Sequence, residues 1–121
     1  MTEVLIVDDS AVVRKIARRV LEGMNLSAAE AEDGDQALAA CSLAMPDAIL
    51  VDNDMPGIGG CEFVKRLRAL PGGAHPKVLV CASENDPVRL AGAIYAGADD
   101  FLLKPFDGEL LRSKLAGVVT R

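Results

Sequence analysis

Ala48-Ile49-Leu50-Val51-Asp52-Asn53-Asp54-Met55-Pro56-Gly57-Ile58-Gly59-Gly60 is the stretch on which the fold turns. Four apolar residues end abruptly at an acid. A short run without polar alternation fits a strand buried on both faces of a parallel sheet. The Pro and glycines that follow block a helix, which the pattern predicts only from Cys61 to Leu70 before Pro71-Gly72-Gly73 breaks it. Val4-Leu5-Ile6-Val7 has the same design and ends at Asp8-Asp9, and Val78-Leu79-Val80-Cys81 ends at Ala82-Ser83.

The segments between these runs have helical spacing. Ser10 is placed as an N-cap, and Val12, Val13, Ile16, Ala17, Val20 and Leu21 follow on one face, with Gly23 near the end. Arg14, Lys15, Arg18 and Arg19 fill the opposite face and read as solvated. Leu26–Ala31 is a weaker strand, and Asp33-Gly34-Asp35 turns into a helix from Gln36 to Leu43. Asp86-Pro87 opens a helix that runs to Ala96 and stops at Gly97. Phe101-Leu102-Leu103 is a fifth strand ended by Lys104-Pro105, and Asp107 caps a last helix with Phe106 and Leu111 at staple spacing. Five strands alternating with five helices predict a doubly wound α/β domain over residues 1–121, with a five-stranded parallel sheet and helices on both faces.

With 18 acids against 13 bases the net charge is -5, which argues against a nucleic-acid partner and favours a bound cation. Cys41, Cys61 and Cys81 show no CxxC spacing and read as the reduced thiols of a cytoplasmic protein. The start lacks the basic and apolar segments of a leader, and no apolar run is long enough for a membrane span.

Ligands of an open parallel sheet bind beyond the carboxyl ends of its strands. Those positions carry Asp8 and Asp9, Asp52 and Asp54, Ala82 and Ser83, and Lys104. Carboxylates crowded together need neutralising, and Mg²⁺ takes carboxylate, carbonyl and water oxygens. A carboxylate such as Asp52 can accept a phosphoryl group covalently, Lys104 offers a point charge for a phosphate oxygen, and a hydroxyl after the fourth strand can donate to another. Singly, each acid reads as a solvated turn residue, Lys104 as a surface lysine and His75 as an exposed loop residue. The acids gain force together, each following its own strand.

Three blocks in this order resemble the CheY-like receiver domains of two-component response regulators. They are Val7-Asp8-Asp9-Ser10, Val51–Gly60, and Gly97-Ala98-Asp99-Asp100-Phe101-Leu102-Leu103-Lys104-Pro105-Phe106. The resemblance covers essentially the whole chain. It implies the flavodoxin-like (βα)5 fold with strand order 2-1-3-4-5. It implies that a histidine kinase or phosphotransfer protein phosphorylates Asp52, and that Asp9 and Asp52 bind Mg²⁺ directly, Asp8 through water and Asp54 through its backbone carbonyl. Lys104 would contact the phosphoryl group and form a cis peptide with Pro105. Phe101 would be the aromatic switch, and the face of helix four, strand five and helix five would meet a protein partner, in chemotaxis or a related phosphorelay. The chain would act as an acceptor that can dephosphorylate itself, not as a turnover enzyme.

Two positions depart from the family pattern. Ala82 stands where the switching Thr or Ser is expected, with Ser83 beside it as the remaining hydroxyl. Asp54 puts an extra acid near the metal, where, with Glu84, it would affect dephosphorylation. Ala82 keeps open a second reading, a receiver-fold adaptor that works without phosphorylation. A third is a phosphatase with a DxD motif, which Asp52-Asn53-Asp54 also resembles, although such enzymes carry that motif on their first strand and in a longer chain. Binding of FMN would need a Ser/Thr/Gly-rich loop after strand one, and Asp8-Asp9-Ser10-Ala11-Val12 is the wrong chemistry for it.

Overall fold

Elements alternate strictly along the computed structural model, which describes residues 2–83 and 86–119. They are β1 (Glu3–Val7), α1 (Ala11–Gly23), β2 (Ser27–Ala31), α2 (Gly34–Leu43), β3 (Ala48–Asp52), α3 (Gly60–Ala69), β4 (Lys77–Ser83), α4 (Pro87–Ala96), β5 (Asp100–Lys104) and α5 (Gly108–Val119). The five strands form one parallel sheet in the order β2-β1-β3-β4-β5, as the resemblance implied.

Strand alternation sorts the core into two layers. Leu5, Val7, Ile49, Val51, Val78 and Val80 face one side, where Ala37, Phe63, Val64, Leu67 and Ala93 of α2, α3 and α4 cover them. Val4, Ile6, Leu50, Leu79, Cys81 and Leu102 face the other, covered by Ala17 and Leu21 of α1 and by Leu111 and Leu115 of α5. Each large side chain so buried, Phe63 for example, stabilises the fold by about 2 kcal/mol. The same alternation carries Asp8 on from Val4 and Ile6, Asp52 on from Leu50, and Lys104 on from Leu102. All three therefore emerge on the α1/α5 side of the sheet.

The caps follow the sequence. Ser10 Oγ accepts the Val13 N–H, Asp33 accepts that of Gln36, and Asp86 accepts that of Arg89 with Pro87 in the first turn. Asp107 accepts the Leu110 N–H at 2.8 Å. Gly97 takes φ 125° at the end of α4, a conformation side chains disfavour. Gly60 opens α3 so close to Asn53 that a Cβ there would lie 2.4 Å from Asn53 Oδ1. Two strands run further than the apolar runs suggested. Ala82 and Ser83 belong to β4, and Lys104 to β5, because they pair as Ala82↔Leu103 and Ser83↔Lys104. Among the described residues no helix is long and apolar enough to cross a membrane.

The end of the sheet opposite the acids is fastened by two polar side chains that sequence patterning does not single out. The Arg68 guanidinium donates to the carbonyls of Gly97, Gly73 and Pro76 and to Asp99 Oδ2, at 2.8 to 3.2 Å. Asp99 Oδ2 also accepts the Val78 N–H at 2.8 Å. Arg68 thus ties α3 to the end of α4 and to the starts of β4 and β5. Asp47 accepts the Glu3 N–H at 2.9 Å and meets His75 Nε2 at 3.0 Å, joining β1 and β3 to the loop before β4. His75 is exposed, as expected, but it is not unattached.

Removing Arg68 leaves several partly buried carbonyls without a donor. Arg68→Ala should lower stability by about 2 kcal/mol, read from the urea midpoint at unchanged slope. Lysine at 68 should recover only part of it, because a single ammonium does not replace the guanidinium fork.

The Glu3 amide, and then His75, hold the Asp47 carboxyl below its ordinary value. A lowered acid contributes stability that is present above the unfolded carboxylate range and is lost as pH falls through the folded value. In urea titrations across the acid range, Asp47→Asn should therefore flatten the loss of stability with falling pH. An acid limb as steep as the wild type's would contradict this.

Candidate acceptor site and acidic cluster

The paired strands β1 and β3 deliver Asp8 and Asp52 side by side, since Val7 and Val51 are register partners. Asp8 is 3% exposed and Asp52 5%, while Asp9, at the start of the β1–α1 loop, is exposed. Each of the three offers a carboxylate oxygen, and these lie within 4.8 Å of one another.

One ammonium serves the buried pair. Lys104 Nζ lies 3.1 Å from Asp52 Oδ1 and 3.3 Å from Asp8 Oδ2. Burial works against the Lys104 charge, but the Asp52 and Asp8 carboxylates outweigh it and raise its pKa. Burial is also the chief reason the Asp8 carboxyl sits above its ordinary value. The Asp52 charge adds to that, and the Ser10 amide and Lys104 only partly offset it.

Backbone contacts aim both acids. Asp8 Oδ1 accepts the Ser10 N–H at 2.9 Å, and Asp52 Oδ1 accepts the Asp54 N–H at 3.2 Å. The Asn53 N–H donates to the Cys81 carbonyl at 2.8 Å, locking the turn after β3 to β4.

Oxygen donors of this kind suit a hard cation. Three carboxylates against one ammonium leave an excess of negative charge, and the donor set matches Mg²⁺ in type. Asp8, Asp9 and Asp52 are the residues that fit it.

Among the residues expected to act together, Asp8, Asp9, Asp52 and Lys104 converge. The Asp54 carboxylate does not join them. It forms an ion pair with Arg89 of α4, so the extra acid expected beside the metal has a cation of its own. Lys104-Pro105 is cis. Ala82 is fully buried and carries no hydroxyl. The side chain of Ser83, the remaining hydroxyl, and Glu84 lie outside the described residues. Phe101 is 37% exposed, with Lys114 Nζ 5.0 Å from its ring centroid. It borders an apolar groove with Leu90, Ile94 and Tyr95 of α4.

Two arginines brace the turns beside the cluster without touching its three carboxylates. Arg14, read as part of a solvated face, donates to the Asp8 carbonyl at 2.7 Å and to Glu30 of β2 at 2.9 Å, with its side chain only 12% exposed. Arg18 and Arg14 in turn hold the Glu30 carboxyl below its usual range. Arg89 donates to the Asn53 carbonyl at 3.1 Å besides pairing with Asp54. A cation in a helix's first turn faces the wrong end of the helix dipole. That misfit was the one sequence signal that Arg89 has a partner elsewhere.

Comparison with known proteins agrees with this geometry. A family model described as the response regulator receiver domain matches residues 4–116. The chain is 39% identical over 105 residues to the transcriptional regulatory protein ResD of Bacillus subtilis, covering 87% of this chain and 42% of ResD. It is 32% identical over 118 residues to the chemotaxis protein CheY of Halobacterium salinarum, covering 98% of this chain and 97% of that one. The chemotaxis response regulator CheY4 of Vibrio cholerae superposes with a TM-score of 0.91 at 34% identity, over 98% of each chain. The chain spans about half the length of several of the curated relatives it matches.

The cysteines provide a check on burial beside the acids. Burial pushes the Cys41 thiol up to about 11 and the Cys81 thiol far above its ordinary range. Cys61 is partly exposed, its thiol donating to the Gly92 carbonyl at 3.4 Å. Under native conditions an alkylating reagent should modify Cys61 and spare Cys41 and Cys81 until the chain unfolds. Mass analysis that finds Cys81 modified in the folded protein would contradict the packing described around Asp52.

Proposed function

The chain belongs to the response regulator receiver domain family, and from that premise we propose that Asp52 accepts a phosphoryl group from a histidine kinase or phosphotransfer protein, with Mg²⁺ as cofactor. The observation that carries this reading is the single ammonium of Lys104 reaching both buried carboxylates, Asp52 and Asp8.

Both described contacts of Asp52 fall on Oδ1, from Lys104 and from the Asp54 amide. Oδ2 is then the nucleophile. It attacks phosphorus in line with the bond to the donor's imidazole nitrogen. The P–O bond forms as the P–N bond breaks; the electron pair stays on the departing imidazole nitrogen, which takes a proton from water. The product is a mixed anhydride on Asp52. Such transfers depend mainly on positioning and on neutralising charge. Asp52 is held by its backbone amide contact, and Lys104 is close enough to follow one phosphoryl oxygen as charge builds there. Asp8, Asp9 and the Asp54 carbonyl, with Asp52, would hold the Mg²⁺, which when bound neutralises phosphoryl oxygens and keeps the carboxylates ionised. Because Asp52 is modified and must be regenerated by hydrolysis, the chain works as an acceptor and not as a turnover catalyst.

Output would pass through protein contact at the face of α4, β5 and α5. Tyr95, at 95% exposure, and Phe101 give that face its apolar surface. An adaptor that ignores phosphorylation is the second reading. Ala82 favours it, because a buried methyl offers the phosphoryl group no hydroxyl.

Acetyl phosphate with Mg²⁺ should add one phosphoryl group by intact mass, and either Asp52→Asn or chelation should abolish the addition. An unchanged mass would leave the adaptor reading in its place.

A further inference from the structure

With no hydroxyl at Ala82, the site needs another path from Asp52 to the helices around it. Among the described residues one is present. The Asp54 N–H donates to Asp52 Oδ1, the Asp54 carboxylate pairs with Arg89, and Arg89 stands in the first turn of α4. Arg89 Nη2 also takes the Asn53 carbonyl at 3.1 Å, and Nη1 lies 3.5 Å from Asp86 Oδ2. The guanidinium rests against Gly59, where a Cβ would come within 3.2 Å of Nη2. The start of α4 is thus buttoned by one side chain to the turn that directly follows Asp52.

We propose that Arg89 couples Asp52 to α4: when Asp52 is phosphorylated, the guanidinium leaves Asp54 for the phosphoryl oxygens and draws the first turn of α4 with it. The proposal rests on the acceptor reading of Asp52. The physical argument is a competition for one cation. The Arg89 and Asp54 side chains are 48% and 42% exposed, and a pair so open to solvent contributes little, about 1 kcal/mol or less. Phosphorylation adds a charge of roughly -1.5 to -2 with three strong acceptor oxygens. It does so on the residue whose Oδ1 already holds the Asp54 amide, so the new anion also repels the Asp54 carboxylate. The planar fork of arginine matches phosphate oxygens in pairs. Arg89 cannot follow the phosphoryl group while keeping both Asp54 and the Asn53 carbonyl. The helix that carries it must then adjust, and with it the groove formed by Leu90, Ile94, Tyr95 and Phe101. Arg89 meets the phosphoryl group only after the transfer, so it conveys the modification to α4 and takes no part in the transfer itself.

Hydrogen exchange of the full chain tests this, with acetyl phosphate and Mg²⁺ as the probe and intact mass to report loading. In the wild type, amides from Leu90 to Ala93 should exchange several-fold faster once Asp52 is loaded. Arg89→Ala should still accept the phosphoryl group. Its α4 amides should exchange faster from the outset and change little on loading. Arg89→Gln keeps a donor for the Asn53 carbonyl but no charge, so it should hold α4 more slowly exchanging than alanine does and still lose the response. A loading response in either variant as large as the wild type's overturns the coupling, as does a loaded wild type whose α4 is unchanged. A wild type that takes no phosphoryl group overturns the acceptor reading itself, and the coupling falls with it.

Discussion

Two carboxylates taken out of water beside one another are a liability that the rest of this fold is arranged to contain. Asp8 and Asp52 are almost fully buried, and charges so placed repel each other strongly in a medium less polarisable than water. Lys104 is the only described cation within reach of both. It arrives from the edge strand of the sheet, because β5 pairs with β4 and β4 pairs with β3. The ammonium balances one negative charge, and the excess that remains suits the cluster to a divalent cation. A fully paired site would have no charge left to attract one.

Containment also explains the polar contacts around the acids. The Arg14 guanidinium on the Asp8 carbonyl fixes the turn after β1 without touching a carboxylate of the cluster, and Glu30 absorbs its charge. A cation free to swing onto Asp8 or Asp9 would cancel the negative excess. The Asp54 carboxylate is likewise drawn off by Arg89, so a fourth acid close in sequence does not raise the repulsion at Asp52. Ion pairing here decides which charges face the site and which do not.

The legible part of this architecture was carried by features with local causes. Apolar runs ending at acids marked β1 and β3, and Asp33, Asp86, Asp107 and Ser10 announced helix starts through capping that depends on neighbours in the chain. Motif spacing located Asp8, Asp9, Asp52 and Lys104. The ends of β4 and β5 were misjudged because Ala82, Ser83 and Lys104 are strand residues by virtue of pairing with each other's strand, which a one-dimensional pattern does not contain. Arg14 and Arg68 were invisible for a related reason, and Arg89 was marked only by standing at the wrong end of a helix for a cation. Each is an ordinary helix-surface arginine by spacing, and its role comes from carbonyls and carboxylates 5 to 36 residues away in the chain.

The two ends of the sheet differ in a way that gives a signal its direction. At the end away from the acids, Arg68 holds α3, the last turn of α4 and the starts of β4 and β5 by bonds to backbone carbonyls. Apart from Asp99 those partners carry no net charge, and all of them lie at the end of the sheet away from Asp52, so a change of charge there leaves them in place. At the acidic end, the hold on α4 includes an exposed ion pair between Arg89 and Asp54, a contact that any stronger anion can outbid. Charge added at Asp52 therefore meets a helix fixed at its C-terminal end and exchangeable at its N-terminal end. The side chains nearest that exchangeable end, in the early turns of α4, share a groove with Phe101 on β5. The missing hydroxyl at Ala82 then removes one path to that face while leaving intact the mechanical asymmetry on which any such path would draw.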